Sequence, residues 1–274
     1  MEEISNIGII EYRNIIKAIS DNYGIDFSHK SFTAFVRSIE RAMVLNNIRS
    51  TDSLISTLTT NKNFIHRFIS DISIEETEMF RDPNLWIELR DNIIPQYIRK
   101  GSNIWVPEVT SGDELITLAI VLRELGVLEH VKITATCFGR NQVDIIKEAA
   151  FPLKKMEVNI ANFNRYSANS KFSEYYEEKN NRAYFDRELL RGVNIKQFEF
   201  ITDEPPQNNH LVLYRNKMIY YNKRMQNSIM SKITDSMAMG SIFICGVKEN
   251  LESSNNEKSF VLINENESIY KKTN

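Results

Sequence analysis

Two stretches carry side chains whose type and order could do chemistry. The first is Thr110-Ser111-Gly112-Asp113-Glu114, a small polar turn between an apolar run at residues 104–109 and a helix that opens with two acids. In an open α/β sheet, a strand, turn and helix of this kind form the mouth where ligands sit, and the turn residues decide which ligand is admitted. The second is Arg215-Asn216-Lys217-Met218-Ile219-Tyr220, directly after a short apolar strand. Arg81 stands apart, just before an Asp82-Pro83 turn. A planar guanidinium suits carboxylate recognition, although Arg81 could equally pair with Asp82 or a helix end.

The periodicity names the elements that must position these groups. Leu115, Leu118, Ala119, Leu122 and Leu125 fall on one helical face, with Gly126 as the stop. A strand over 131–137 and a helix over 142–150 follow, and strand–helix–strand–helix is the pattern of a parallel sheet with right-handed crossovers. Further strands are expected at 195–201, 211–214 and 241–246, a helix at 223–237, and a closing hairpin at 258–263 and 268–271. Upstream, residues 8–72 read as four short amphipathic helices carrying stripes such as Ile9, Tyr12, Ile15, Ile16 and Ile19. The expected organisation is a helical N-terminal domain at 1–72, a linker helix at 73–100 and an α/β domain at 101–274. Within the last, the polar, aperiodic residues 157–195 read as an inserted subdomain.

Composition narrows the function classes. The 274 residues hold 34 basic and 36 acidic side chains, a balance that gives no general reason to bind nucleic acid or an anionic membrane. Cys137 and Cys245 sit in apolar runs without metal spacing and fit a reducing compartment. The start, Met-Glu-Glu-Ile-Ser, lacks the basic and apolar regions of a signal peptide. No run reaches the roughly 18 apolar residues of a membrane span, so a cytoplasmic location is expected. Lys30, Arg37 and Arg41 are expected to share one side of the second helix, either as a solvated face or as a basic docking face for an acidic protein partner. His29, His66 and His130 have no partner spacing and read as surface or satisfied residues.

In order along the chain, five segments carry a resemblance: Gly24-Ile-Asp-Phe-Ser28, Thr77-Glu-Met-Phe-Arg-Asp-Pro83, the stretch from Trp105 to Ala119, Arg215 to Tyr220, and Gly246-Val-Lys-Glu-Asn250. Together the chain resembles the chemotaxis-receptor methyltransferases of the CheR type over nearly its whole length. The resemblance implies a helical domain followed by a doubly wound, Rossmann-like methyltransferase domain, with S-adenosylmethionine as cofactor and receptor glutamates as methyl acceptors. It implies Arg81 beside the cofactor or acceptor carboxylate, Tyr220 at the methyl, and Arg215 and Asn216 on the cofactor side. Taken alone, Tyr220 also reads as a core tyrosine with its hydroxyl at the rim.

The departures from that pattern fall on the cofactor contacts. The family's close-approach glycine aligns with Glu108, the acid that holds the ribose hydroxyls with Cys137, the pair near the adenine with Glu199 and Phe200, and the acid opening the next strand with His210. Gly112, Asp113 and Glu114 keep the family's residue types. Two functions from different classes follow: a protein-binding relative with impaired or lost catalysis, acting in bacterial chemosensory signalling, or a working protein-glutamate O-methyltransferase.

Overall fold

The computed structural model describes residues 7–73, 77–167, 170–249, 251 and 256–274. The chain divides into two compact units. Met1–Glu75 with Lys217–Ser228 make one, and Glu76–Asn216 with Ile229–Asn274 make the other.

The first unit is helical: α1 (Ile9–Tyr23), α2 (Phe32–Leu45), α3 (Thr51–Thr60) and α4 (Phe64–Ser73). The expected stripes meet in one core, with Ile15, Ile19, Ile39, Met43, Leu54, Leu58 and Phe68 buried. Gly24, at φ 68, ends α1 and returns its N–H to the Ser20 carbonyl, the left-handed cap that glycine adopts without steric cost. Ser50 caps α3 by accepting from the Ser53 N–H at 3.2 Å. A distant segment completes the unit. The Ser31 N–H donates to the Tyr220 carbonyl at 2.8 Å. Lys30 Nζ lies 3.9 Å from the centroid of the Tyr221 ring, on which His29 also stacks.

The second unit opens with α5 (Pro83–Glu88), a π turn (Leu89–Ile93) and α6 (Ile94–Tyr97). Pro95 has no N–H to offer the carbonyl four residues back, and just before it the Ile94 N–H reaches Leu89, five residues back. These helices do not form a free linker. Trp86, Leu89, Ile93 and Ile94 are buried in the core of this unit.

Next come β1 (Asn103–Val106), α7 (Asp113–Glu124), β2 (Lys132–Cys137), α8 (Arg140–Glu148) and β3 (Ala150–Pro152). They are followed by α9 (Met156–Tyr166), β4 (Tyr176–Lys179), β5 (Arg182–Phe185), β6 (Asn194–Gln197) and β7 (Asn209–Leu213). The chain ends with α10 (Lys223–Ser236), β8 (Met237–Ile244), β9 (Phe260–Asn264) and β10 (Ile269–Lys272). The main sheet has the order β6-β2-β1-β7-β8-β10-β9. Its first five strands are parallel, and β10 and β9 close it as an antiparallel pair. Such a mixed edge is common in doubly wound sheets.

The structure differs from the sequence reading at several points. Helix α7 is buried nearly all round, from Leu115 through Leu122, because its far side lies under the segment before α5. There the Phe80 N–H donates to Thr117 Oγ1 at 3.1 Å. The inserted region begins at β3, earlier than residue 157. Strands β3, β5 and β4 form a small antiparallel sheet, whose hairpin turns at Asn180 and Asn181 with φ 50 and 59, the left-handed pair a two-residue hairpin needs. Residue 194, placed in the insert by the sequence, opens edge strand β6, which continues through Ile195, where a strand was expected. Beyond Gln197 the chain leaves the sheet, so that Phe198 and Phe200 turn inward onto Trp105. No helix among the described residues is long and apolar enough to cross a membrane.

Candidate functional site at the strand ends

In the α/β unit, the carboxyl ends of β1, β2, β6 and β7 meet at the mouth expected for a ligand. Strand β1 ends at Val106, and the chain turns through Pro107 and Glu108 before the Val109 N–H rejoins Thr136 at 2.7 Å. Glu108 has φ 51, a conformation that glycine enters freely and a glutamate does not. Its carboxylate accepts a hydrogen bond from the Tyr214 hydroxyl at 2.7 Å. Tyr214 is fully buried. Its ring packs edge-on to Phe200 at 5.6 Å, and Phe200, Phe198 and Trp105 form a contiguous aromatic cluster. Trp105 Nε1 donates to Thr136 Oγ1 at 3.1 Å, which satisfies the indole inside the core.

Cys137 ends β2 and is buried. Its thiol faces the Gly139 and Lys196 carbonyls at 3.6 and 3.7 Å. Burial pushes its pKa up to about 11, so it stays a neutral, weak donor. Glu108 and Cys137 thus stand at adjacent strand ends but turn apart, one toward β7 and the other toward β6. Glu199 is tied into the turn after β6, its N–H donating to Asp203 Oδ2 at 2.8 Å.

Gly112 opens α7 at φ 94, and its carbonyl accepts the Ile116 N–H at 2.9 Å. Asp113 is fully buried and receives the Ser111 hydroxyl. Glu114 binds Arg215 Nη1 at 3.0 Å, and Arg215 Nη2 pairs with Asp82. Arg215 is 3% exposed; it joins the start of α5, the start of α7 and the end of β7. This overturns the simple pairing of Arg81 with Asp82. The Arg81 side chain is exposed, and its backbone carbonyl accepts from Trp86 Nε1 at 2.9 Å. Phe80 and Asp82, with φ 52 and 57, flank it.

Asn216, at φ 56, gives its N–H to Glu249 Oε2 at 2.7 Å, and the Gly246 N–H donates to the same oxygen at 2.8 Å. A Cβ on Gly246 would lie 2.9 Å from the Asn216 nitrogen, so only glycine permits this approach. Tyr214 was not singled out by sequence, and Asp82 and Glu249 were named only as members of their segments. The spacing Gly246 to Glu249 was the available signal for the last.

Other expected residues lie elsewhere. His210 is the second residue of β7, and its Nδ1 accepts the Asn103 N–H at 3.1 Å, at the opposite end of the sheet from Glu108. A cavity of about 330 Å³ at that same end is lined by Asn103, Lys132, Asn194 and Asn209, where strands begin. Tyr220 belongs to the helical unit, in a single 3-10 turn over Met218–Tyr220. In that unit the basic residues do not share one helix face: Lys30 precedes α2, and Arg41 donates to the Asp71 carbonyl at 2.7 Å, where α4 ends. Arg37 alone of the three is exposed. The side chain of His66 lies outside the described ones.

Residues 75–267 match the model of the CheR methyltransferase SAM-binding domain, and residues 10–73 match that of its all-alpha domain. The chain belongs to the CheR methyltransferase family. Similar proteins span nearly its full length. Cher3 of Pseudomonas putida, named for the methyltransferase family, is 26% identical over 96% of this chain and 97% of its own. A chemotaxis protein methyltransferase of Borreliella burgdorferi is 24% identical over 92% of each chain, and one of Listeria innocua 23% over 88% of this chain and 90% of its own. S-adenosylmethionine is the cofactor expected of a CheR SAM-binding domain.

Proposed function

We propose that this CheR-family protein binds a signalling protein of a bacterial chemosensory system, with methyl transfer to protein glutamate impaired or lost. The observation that carries the reading is the Glu108 carboxylate at the first turn, held by the buried Tyr214 hydroxyl. The residues at the strand ends do not fit S-adenosylmethionine well. A carboxylate beside the cofactor's own methionine carboxylate opposes it by like charge. A buried thiol facing two backbone carbonyls cannot accept from the ribose hydroxyls as an acid would. Each lost charged or bidentate contact costs about 1–3 kcal/mol, or roughly 5- to 150-fold in affinity. Protein recognition would rest on other surfaces and could outlast that loss.

The test is calorimetric titration of the full chain with S-adenosylmethionine and S-adenosylhomocysteine. Heats too small to fit, or affinity only in the millimolar range, support the reading; micromolar affinity for either ligand overturns it. A working methyltransferase is the second reading, favoured by the exposed Arg81 and by a Gly112-Asp113-Glu114 turn at the start of α7 whose residue types are those the resemblance implies. Transfer of labelled methyl from S-adenosylmethionine to a receptor fragment, over many turnovers, would decide for it.

A further inference from the structure

Among the described residues, the three sheet edges other than β9 are guarded. Strand β6 carries Lys196 among exposed polar residues, β4 reads Tyr-Glu-Glu-Lys, and β3 ends in Pro152. Lysines, charges and proline are the usual devices that stop an open edge from pairing with another chain. Strand β9 has none of them. It is the last strand of the main sheet, bonded only to β10, and reads Phe-Val-Leu-Ile-Asn. Phe260 is buried, but Val261, Leu262 and Ile263 are 52, 44 and 38% exposed. Because successive strand residues face opposite sides, these three open aliphatic side chains leave both faces of the edge apolar.

We propose that β9 is an interaction surface on which a second copy of this chain pairs, edge to edge and antiparallel. The sequence around the strand suits a twofold pairing centred on Leu262. Val261 of one copy then lies opposite Ile263 of the other, and Leu262 meets itself. The flanking charges complete the match: Lys258 precedes the strand and Glu265 follows it, and both are exposed. In that register each copy's Lys258 lies across from the other's Asn266 and one position from its Glu265, with Glu257 and the other copy's Glu267 one position further out. The Lys258–Glu265 contact occurs twice, as an isologous interface requires. The same edge would place aliphatic rows side by side on both faces of a sheet continuous through two copies.

Sedimentation velocity on the full chain, from low to high micromolar concentration, tests this. The expected result is a concentration-dependent dimer, abolished by Leu262→Lys with unchanged circular dichroism and melting temperature. Lys258→Glu should weaken the dimer at least tenfold, and Lys258→Glu combined with Glu265→Lys should restore it. Hydrogen exchange on the unmodified chain gives a readout that needs no variant: amides of 260–264 gain protection as concentration rises. A chain that stays monomeric throughout overturns the proposal. So does a dimer indifferent to Leu262→Lys, or β9 protection that appears only when a different protein's strand is added.

Discussion

Tyr214 donates its hydroxyl to Glu108 at 2.7 Å across 106 residues of sequence, between the ends of two neighbouring parallel strands. Neither residue suffices alone. A half-buried carboxylate needs donors, and a fully buried phenol needs an acceptor. The pair converts a turn built for close approach into one filled by its own side chains.

Tyr214→Phe therefore leaves the Glu108 carboxylate with one donor fewer while keeping the ring and its packing on Phe200. The expected loss of stability is about 1–3 kcal/mol, read as a lower urea midpoint with an unchanged slope. Glu108→Gln should cost less, because an amide still accepts the phenol's proton.

Cofactor affinity should respond to a double change. Glu108→Gly removes charge and bulk at a position whose φ of 51 favours glycine, and Cys137→Asp supplies an acceptor for ribose hydroxyls at the end of β2. Together they should raise affinity for S-adenosylhomocysteine at least tenfold, measured by calorimetry. No gain would place the obstruction in the aromatic cluster of Phe198, Phe200 and Trp105. Without ligand the new aspartate is buried beside carbonyls, so the double variant should melt earlier and recover on adding ligand.

The raised pKa of Cys137 gives a pH dependence of fixed sign. Its thiol ionises near the ordinary value of 9.0 when unfolded and near about 11 when folded. Between these values the folded state holds the proton that the unfolded state has released, so stability is full below pH 9 and falls as pH rises toward 11. Tyr166 and Tyr175, both raised first by burial and then by their bonds to Glu124, act in the same direction at higher pH. Cys137→Ala should flatten the decline between pH 9 and 11 relative to the unmodified chain, measured by urea denaturation at a series of pH values.

The basic residues of the helical unit should separate into two kinds. Arg37→Glu should weaken association with an acidic helical partner and lower its salt sensitivity, leaving the melting temperature unchanged because the side chain is exposed. Arg41→Glu should destabilise the unit by about 1–3 kcal/mol, since it removes the donor to the Asp71 carbonyl and sets an acid at the C-terminal end of α4. Pull-downs at two salt concentrations, alongside thermal melts, distinguish them.

Local signals carried most of the architecture. The stretch from Trp105 to Ala119 could be read as strand, turn and helix because an apolar run, a polar turn with Gly112 and a leucine stripe occur in order, and β1 and α7 lie there. What could not be read was whatever depends on residues far apart in sequence. The small sheet was missed because Ala150 and Phe151 look like the end of a helix until β5 pairs with them. Arg215 was noticed only as part of a motif; its bonds to Asp82 and Glu114 span 133 and 101 positions. Lys30, Arg37 and Arg41 shared a sign of charge, but only packing assigns one to an aromatic ring, one to a carbonyl and one to solvent.

The helical unit is discontinuous in sequence, and this bears on how the protein can be divided. Residues 217–228 leave the α/β unit's sequence to finish the helical one, where Tyr221 carries Lys30 and His29 on its ring. A gene truncated after residue 75 would yield four helices lacking their closing segment, and the complementary fragment would carry a bare tyrosine and an unanswered Tyr220 carbonyl. Domain exchange between homologues therefore has three junctions to respect rather than one. A chimera that moves residues 1–75 should also move 217–228, or the graft will fold with a mismatched seam.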